Sequence, residues 1–321
     1  MKKRWLLICI VILLLAVPYG VKLYGLKTIT SADLPAEGAW AELSQGNLYY
    51  RWHLPSPDKD NGETLVLVHG FSTPHFVWDG VKGFFLDAGY KVLVYDHFGR
   101  GLSERPAVIY GKALYVESLR ELLLDQQVTQ PVHLLGYSMG GAIAGHFTQA
   151  YPGSIKTLTL IAPAGLMNEN PTAGMWSIKP LIGEWFWQLF AETIVFGDVG
   201  DAEVADINDP LAISQAEFME RASSQMRYRG FVEALLSTVR NFNLFNAQDT
   251  FRKVGELDIP TLVMWGTGDT VVPYSGSENM AKAIPHAELV TIVDGGHNIT
   301  YMQPSIVGPA VIEFVGQQHD K

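Results

Sequence analysis

The chain has 321 residues, 48% of them hydrophobic and 17% charged, with 33 acidic against 23 basic side chains and a formal charge of −10. So apolar a composition excludes disorder over most of the length, and the lack of a fixed period or strict glycine spacing excludes collagen, coiled coil and repeat arrays. The acidic balance argues against nucleic-acid binding, and the single cysteine, Cys9, cannot form an internal disulfide, a redox pair or a cysteine zinc site. At roughly 150 residues per domain, the length suits about two domains, or one large α/β domain carrying an insertion.

Lys2, Lys3 and Arg4 precede an unbroken apolar run from Trp5 to Val17, which resumes after Pro18 and, interrupted by Lys22, continues to Leu26. A membrane-crossing helix needs about 20 apolar residues, and Trp5–Leu26 suffices if Lys22 snorkels to the far interface. Residues 1–26 are therefore expected to be a transmembrane signal anchor, with a cytoplasmic N-terminus set by the three cations and the rest exported. The alternative is a cleaved signal peptide and a secreted protein, although no small-x-small cleavage pattern comes after Val17. Cys9 is not expected to be a lipoprotein cysteine, because most of the apolar run lies after it. Residues 27–38 read as a linker. The run belongs to no expected sheet element, so removing residues 1–30 is expected to leave a soluble, active protein.

Two short strand-like segments come next, Ala39–Ser44 and Asn47–Leu54, joined at Gln45-Gly46 as a hairpin. From Thr64 the pattern becomes apolar strands alternating with helices. Strands are expected at Thr64–His69, Lys91–Tyr95, Val132–Gly136, Lys156–Ala162, Thr261–Trp265 and Glu288–Val293, rich in Leu, Val and Ile with little alternation, as buried parallel strands should be. Helical stretches lie between, for example Lys112–Gln127 with Leu119, Leu122 and Leu123 on one face. The fold class is α/β, a mostly parallel doubly wound sheet. The alternation breaks between about Gly165 and Ala247, where aromatics such as Trp176, Trp185, Phe186 and Trp187 cluster. A structureless loop of that length is improbable, so a helical insertion is expected there.

Gly136-Tyr137-Ser138-Met139-Gly140 fits G-x-S-x-G and stands between an apolar strand and a helical stretch, the setting of a nucleophile elbow. A serine hydroxyl needs a base, and the base an orienting carboxylate. Asp269, in Gly266-Thr267-Gly268-Asp269, and His297, in Asp294-Gly295-Gly296-His297, both lie just past strand ends, in the chain order Ser, Asp, His. Asp294 is the rival carboxylate, but it lies too close to His297 in sequence to hold the ring comfortably. An oxyanion hole would use the N–H of Met139, after the nucleophile, and that of Phe71, in the loop after the first parallel strand. His69, at the end of that strand, is expected to hold the loop rather than act as a base.

Taken together, His69-Gly70-Phe71, the stretch Asp96–Ser103 reading DHFGRGLS, Gly136–Gly141, Asp269 and Gly295-Gly296-His297 resemble the α/β-hydrolase superfamily across roughly residues 40–318. The resemblance implies an α/β-hydrolase core at 39–165 and 247–318, a helical cap at 166–246, and a purely structural turn at Asp96–Ser103. Epoxide hydrolases and haloalkane dehalogenases of this superfamily carry Asp at the elbow, and Ser138 argues against both. Gly70-Phe71 departs from the HGGG run of one lipase branch. What remains is esterase, monoacylglycerol lipase, cofactor-free perhydrolase or C–C bond hydrolase; a non-catalytic binding protein of the same fold would not need all three triad residues. The expected anchor is similar to that of membrane-bound monoacylglycerol lipases, and with the aromatic cap it favours a lipid-like ester, a monoacylglycerol or a short- to medium-chain acyl ester. Trp185, Phe186 and Trp187 are consecutive and cannot all face the cap core, so Trp185 or Trp187 is expected to line the acyl pocket. No phosphate loop, HExxH, dinucleotide fingerprint or EF-hand loop is present, so no cofactor and no metal are expected.

Overall fold

The unbroken Leu/Val/Ile runs become the centre of one sheet. In a computed structural model, which describes residues 2–167, 170–172, 174–197 and 209–318, eight strands stand in the order β1-β2-β4-β3-β5-β6-β7-β8. The hairpin β1 (Ala39–Leu43) and β2 (Gly46–His53) is antiparallel and joins the antiparallel edge of β4 (Lys91–Tyr95). From β4 onward, β3 (Thr64–Val68), β5 (Val132–Tyr137), β6 (Ile155–Ile161), β7 (Thr261–Gly266) and β8 (Glu288–Ile292) pair in parallel. Every residue of β5 and β7 is buried, because helices cover both faces; that double burial is why these strands show no polar alternation. Edge strand β8 is mostly exposed until Ile292.

Two helix groups make the covering layers. In one, α2 (Asp79–Asp87) packs with α10 (Ile299–Met302) and α11 (Pro304–Gly316). In the other, α4 (Met139–Ala150) packs with α3 (Lys112–Asp125) and α8 (Gln248–Val254), and α8 with α9 (Gly276–Ala283). Between β6 and β7 the chain leaves the sheet for α5 (Ile182–Phe196), α6 (Gln215–Ser223) and α7 (Phe231–Asn241). It leaves and returns through a paired neck: Leu166 bridges Asn246 antiparallel, and the Ala247 N–H donates to Gly165 O at 2.6 Å. Parts of the insertion read from sequence, residues 168–169, 173 and 198–208, lie outside the described residues, as does Met1.

The N-terminal run forms a helix, α1 (Lys2–Tyr24), containing Pro18. Among the described residues no helix is long and apolar enough to cross a membrane, so the structure lends the transmembrane expectation no support. Its unbroken apolar part, Trp5–Val17, is 13 residues, and Pro18, Gly20 and Lys22 stand in the remainder of the helix.

Residues 2–33 make contacts with the insertion. α1 packs on α5, and the Trp185 indole N–H donates to Leu15 O at 2.8 Å. Lys27 pairs with the insertion as a strand would: its N–H donates to Arg227 O at 2.8 Å and its carbonyl accepts the Arg229 N–H at 2.8 Å. The Tyr228 hydroxyl reaches Asp33 at 2.9 Å. Deleting residues 1–34 should therefore loosen the insertion while leaving the sheet intact. Hydrogen exchange should show the Arg229 amide losing protection while β5 and β7 keep theirs; unchanged protection at Arg229 would contradict this docking.

Candidate active site

The parallel strands aim their carboxyl ends at one edge, and the loops there bring Ser138, His297 and Asp269 together. Ser138 ends β5 and opens α4 with φ 55° and ψ −123°, a backbone conformation that costs a non-glycine residue roughly 1–3 kcal/mol. The turn is possible only because its neighbours lack side chains. A β-carbon on Gly136 would stand 2.3 Å from Gly140 O, and one on Gly140 would stand 2.1 Å from Val68 O. The turn is held by the Ser138 N–H on Ile161 O and by the Gly141 and Ala164 N–H groups on Ser138 O, each at 2.9 Å.

Ser138 Oγ lies 2.9 Å from His297 Nε2, and His297 Nδ1 lies 2.8 Å from Asp269 Oδ2. A carboxylate only accepts, so Nδ1 carries the proton and Nε2 turns its lone pair toward the serine hydroxyl. The other carboxylate oxygen, Asp269 Oδ1, accepts the N–H groups of Val271 at 2.9 Å and Val272 at 2.8 Å, which fixes the rotamer. The Trp265 indole N–H bonds Val272 O at 2.9 Å and ties the same loop back to β7. The His297 ring lies against Tyr137, with centroids 5.2 Å apart. Asp294 is exposed, and the His297 ring turns to Asp269 instead.

The loop after β3 is held by buried side chains. The His97 N–H donates to His69 Nε2 at 2.9 Å, so the His69 proton sits on Nδ1 and donates to Gly70 O at 3.0 Å. Gly70 O shares a peptide plane with the Phe71 N–H and points the opposite way. His69 therefore sets the direction of that N–H. Burial pushes the His69 imidazole down to about 4 and His97 well below the ordinary value of 6.5, so both are neutral. Asp96, also fully buried, is pushed up by desolvation, but the His75 charge and hydrogen bond outweigh this and its carboxyl ends below the ordinary carboxylate value. It accepts N–H groups of His75 and Leu102, each at 2.8 Å. The Phe71 and Met139 N–H groups donate to no other protein group among the described residues.

A cavity of about 450 Å³ opens onto Ser138 and His297, with Phe71, Trp187, Ile194, Phe218, Val271 and Tyr301 among its walls. No Lys, Arg, Asp or Glu side chain lines it among the described residues. Trp187 is buried at 6% exposure in this wall, whereas Trp185 faces α1. Phe186 packs on Trp176 and Phe190. Sequence reasoning missed Ile194, Phe218 and Tyr301; nothing but helical periodicity marks them. In the sequence Arg100 belongs to a structural turn, yet its Nε donates to Phe71 O at 2.5 Å. Among the described residues, no group of three or more His, Cys, Asp or Glu could hold a metal ion.

Residues 63–302 match the family model described as alpha/beta hydrolase fold. The chain belongs to the α/β-hydrolase family. It is similar to the monoacylglycerol lipase ABHD6 of Homo sapiens, 24% identical over 270 residues, covering 80% of this chain and 76% of that one. It is also similar to a 2-hydroxy-6-oxononadienedioate/2-hydroxy-6-oxononatrienedioate hydrolase of Klebsiella pneumoniae, 24% identical over 289 residues, covering 88% and 96%. Among solved structures, a thermophilic esterase from Thermogutta terrifontis superposes with a TM-score of 0.70 at 23% identity, covering 88% of this chain and 98% of that one. The membership establishes an α/β-hydrolase, and the site geometry narrows the chemistry.

The buried histidines give the fold a pH dependence. Burial pushes His69 and His146 down to about 4 and His97 well down, from an ordinary value of 6.5. Below that value the unfolded chain takes up protons that the folded chain refuses, so stability present at neutral pH is lost as pH falls from about 6.5 toward 4. The depressed Asp96 carboxyl extends the loss to lower pH in the same sense. A melting temperature that declines steadily across this window is expected; a flat profile would contradict the burial of neutral imidazoles.

Proposed function

We propose that the protein hydrolyses neutral carboxylic esters with a lipid-like acyl group through an acyl-enzyme on Ser138. The observation that carries this reading is the uncharged, mostly apolar cavity ending on the Ser138–His297–Asp269 chain of hydrogen bonds. His297 Nε2 takes the hydroxyl proton as Ser138 Oγ attacks the ester carbonyl carbon. Asp269 stabilises the imidazolium that forms. The Phe71 and Met139 N–H groups hold the oxyanion, the second aided by its place at the first turn of α4, where the helix dipole favours negative charge. His297 then returns the proton to the departing alkoxide. In the second half, His297 takes a proton from water as its oxygen attacks the acyl carbon, then returns that proton to Ser138 Oγ as the Oγ–acyl bond breaks and the acid leaves.

The helices between β6 and β7 act as the cap, residues 166–246, closing the cavity over the serine; the paired neck and the position of Trp187 in the wall support this. The Klebsiella relative's name describes a dioate substrate. A doubly charged substrate would need a cation in the pocket, and the described lining holds none, which favours the ester reading over a C–C bond hydrolase of that kind. Residues 198–208, outside the described part, contain no Lys or Arg in the sequence either. We also propose that α1 meets a lipid bilayer. Trp5, Leu6, Leu7, Leu13 and Leu14 are each more than half exposed, more apolar surface than water-facing helices leave bare.

Ser138→Ala should lower kcat on p-nitrophenyl butyrate by at least about a thousandfold, and Asp269→Asn should keep the fold while strongly lowering the rate by favouring the wrong imidazole tautomer. Turnover retained in Ser138→Ala would overturn the assignment. A substrate panel should show neutral acyl esters and 1-monoacylglycerols turned over in preference to vinylogous diketone dicarboxylates; the reverse order would favour C–C cleavage. Trp187→Ala should raise KM more for decanoate than for acetate esters, since each buried methylene contributes about 0.8 kcal/mol. Equal losses at all chain lengths would make Trp187 a packing residue only.

A further inference from the structure

Three consecutive carbonyls of the loop carrying the Phe71 N–H each accept from one buried side chain. Gly70 O is held by His69 Nδ1 at 3.0 Å, Phe71 O by Arg100 Nε at 2.5 Å, and Ser72 O by Gln225 Nε2 at 2.9 Å. The first two donors belong to the core, and the third comes from the cap. Gln225 lies just past α6 and is 2% exposed. It uses both ends of its amide: Nε2 also donates to Ala222 O at 3.0 Å, and Oε1 accepts the Gly101 N–H at 2.6 Å. One cap side chain thus pins the 70–73 loop and the 99–101 turn to each other.

Arg100 makes a second connection to the cap. Its guanidinium is fully buried, lies over the Phe71 ring at 5.3 Å, and donates through Nη2 to Thr238 Oγ1 on α7 at 3.0 Å. Thr238 is itself fixed, donating to Ala234 O at 2.7 Å and lying 2.6 Å from the Tyr115 hydroxyl. The peptide planes on both sides of residue 72 are therefore referenced to the cap, Phe71 O through Arg100 and Ser72 O directly. A trans peptide plane is rigid, so fixing its carbonyl fixes the following N–H. The Phe71 N–H shares its plane with Gly70 O, which His69 holds; displacing the Ser72–Thr73 plane that Gln225 holds would shift the Phe71–Ser72 plane between them and, through it, the seat of the Phe71 N–H.

We propose that Gln225 is a positioning residue for the oxyanion hole, seating the Phe71 N–H from the cap so that correct cap placement sets the rate of the chemical step. This rests on the ester-hydrolase reading above. Substrate binding, through the apolar walls, and oxyanion stabilisation are then separable: loss of Gln225 acts on kcat and spares KM. Small misplacements of a catalytic donor cost about ten- to a hundredfold.

The test compares Gln225→Leu, which removes both amide ends, with Gln225→Glu, which keeps the acceptor for Gly101 and removes the donor to Ser72. Turnover of p-nitrophenyl butyrate is measured per active site, with sites counted by exhaustive titration with a fluorophosphonate. The expected result is a fall in kcat of about tenfold or more in both variants, with KM within about twofold and the pH profile of kcat/KM unmoved, because the His297–Asp269 pair is untouched. Counting sites removes the effect of a partly unfolded sample, and Gln225→Glu carries the test if Gln225→Leu fails to fold. A kcat per site within about twofold of the parent enzyme in the folded variants, with Ser138→Ala inactive, would overturn the role of Gln225 alone. Turnover retained in Ser138→Ala would overturn the reading beneath it, and the proposal with it.

Discussion

The close approach of β5, α4 and the end of β3 is the constraint on which the rest of the site depends. Gly140 has no room for a β-carbon, since Val68 O would lie 2.1 Å away. That contact brings the start of α4 against the strand that delivers the His69–Ser72 loop. It places the Met139 N–H and the Phe71 loop on either side of one point, with Ser138 held at φ 55° between them. The strained serine persists because the surrounding sheet over-determines it, through buried neighbours in β3, β5 and β6 and the hydrogen bonds that bracket the turn.

Around that point the molecule separates two tasks. The carboxyl ends of β7 and β8 supply the Asp269–His297 pair, and their loops are stitched together by the Gly268 N–H on Gly295 O at 2.9 Å and the Thr267 N–H on Ile292 O at 3.0 Å. The ends of β3 and β4 supply the Phe71 loop and its supports, and the insertion between β6 and β7 reaches these supports through Gln225 and through Thr238. The insertion also contributes Trp187, Ile194 and Phe218 to the apolar wall of the cavity. One inserted unit thus lines the cavity and reaches the supports of the Phe71 loop, while the N-terminal segment is tied to the same insertion through Lys27 and Asp33.

Much of this is legible in the sequence. The parallel strands show as apolar runs because they are buried on both faces, and β4 has the bounds Lys91–Tyr95 expected from the sequence. Ser138, Asp269 and His297 stand out because each sits at a strand end among glycines, and the structure places them within hydrogen-bonding distance. What is not legible depends on contacts distant in sequence. Gln225 meets a loop 153 residues away, and no local pattern marks a glutamine that will be buried with every amide group used. Arg100 reads as turn chemistry, since nothing in Gly99-Arg100-Gly101 tells that the guanidinium turns inward to Phe71 O. The N-terminal helix is legible as a helix that runs through Pro18, but nothing in the apolar run tells that it packs on α5.

The central claim is that Ser138 is the nucleophile of an acyl-transfer site whose oxyanion donors are already in place. Labelling the full-length protein with a fluorophosphonate, with intact-mass analysis and peptide mapping of the product, tests it most directly. The account predicts one adduct per chain, on Ser138 within Val132–Ala150, abolished by prior heat unfolding and strongly slowed in His297→Ala. An adduct on any other residue, or labelling of Ser138 that proceeds equally fast without His297, would contradict it.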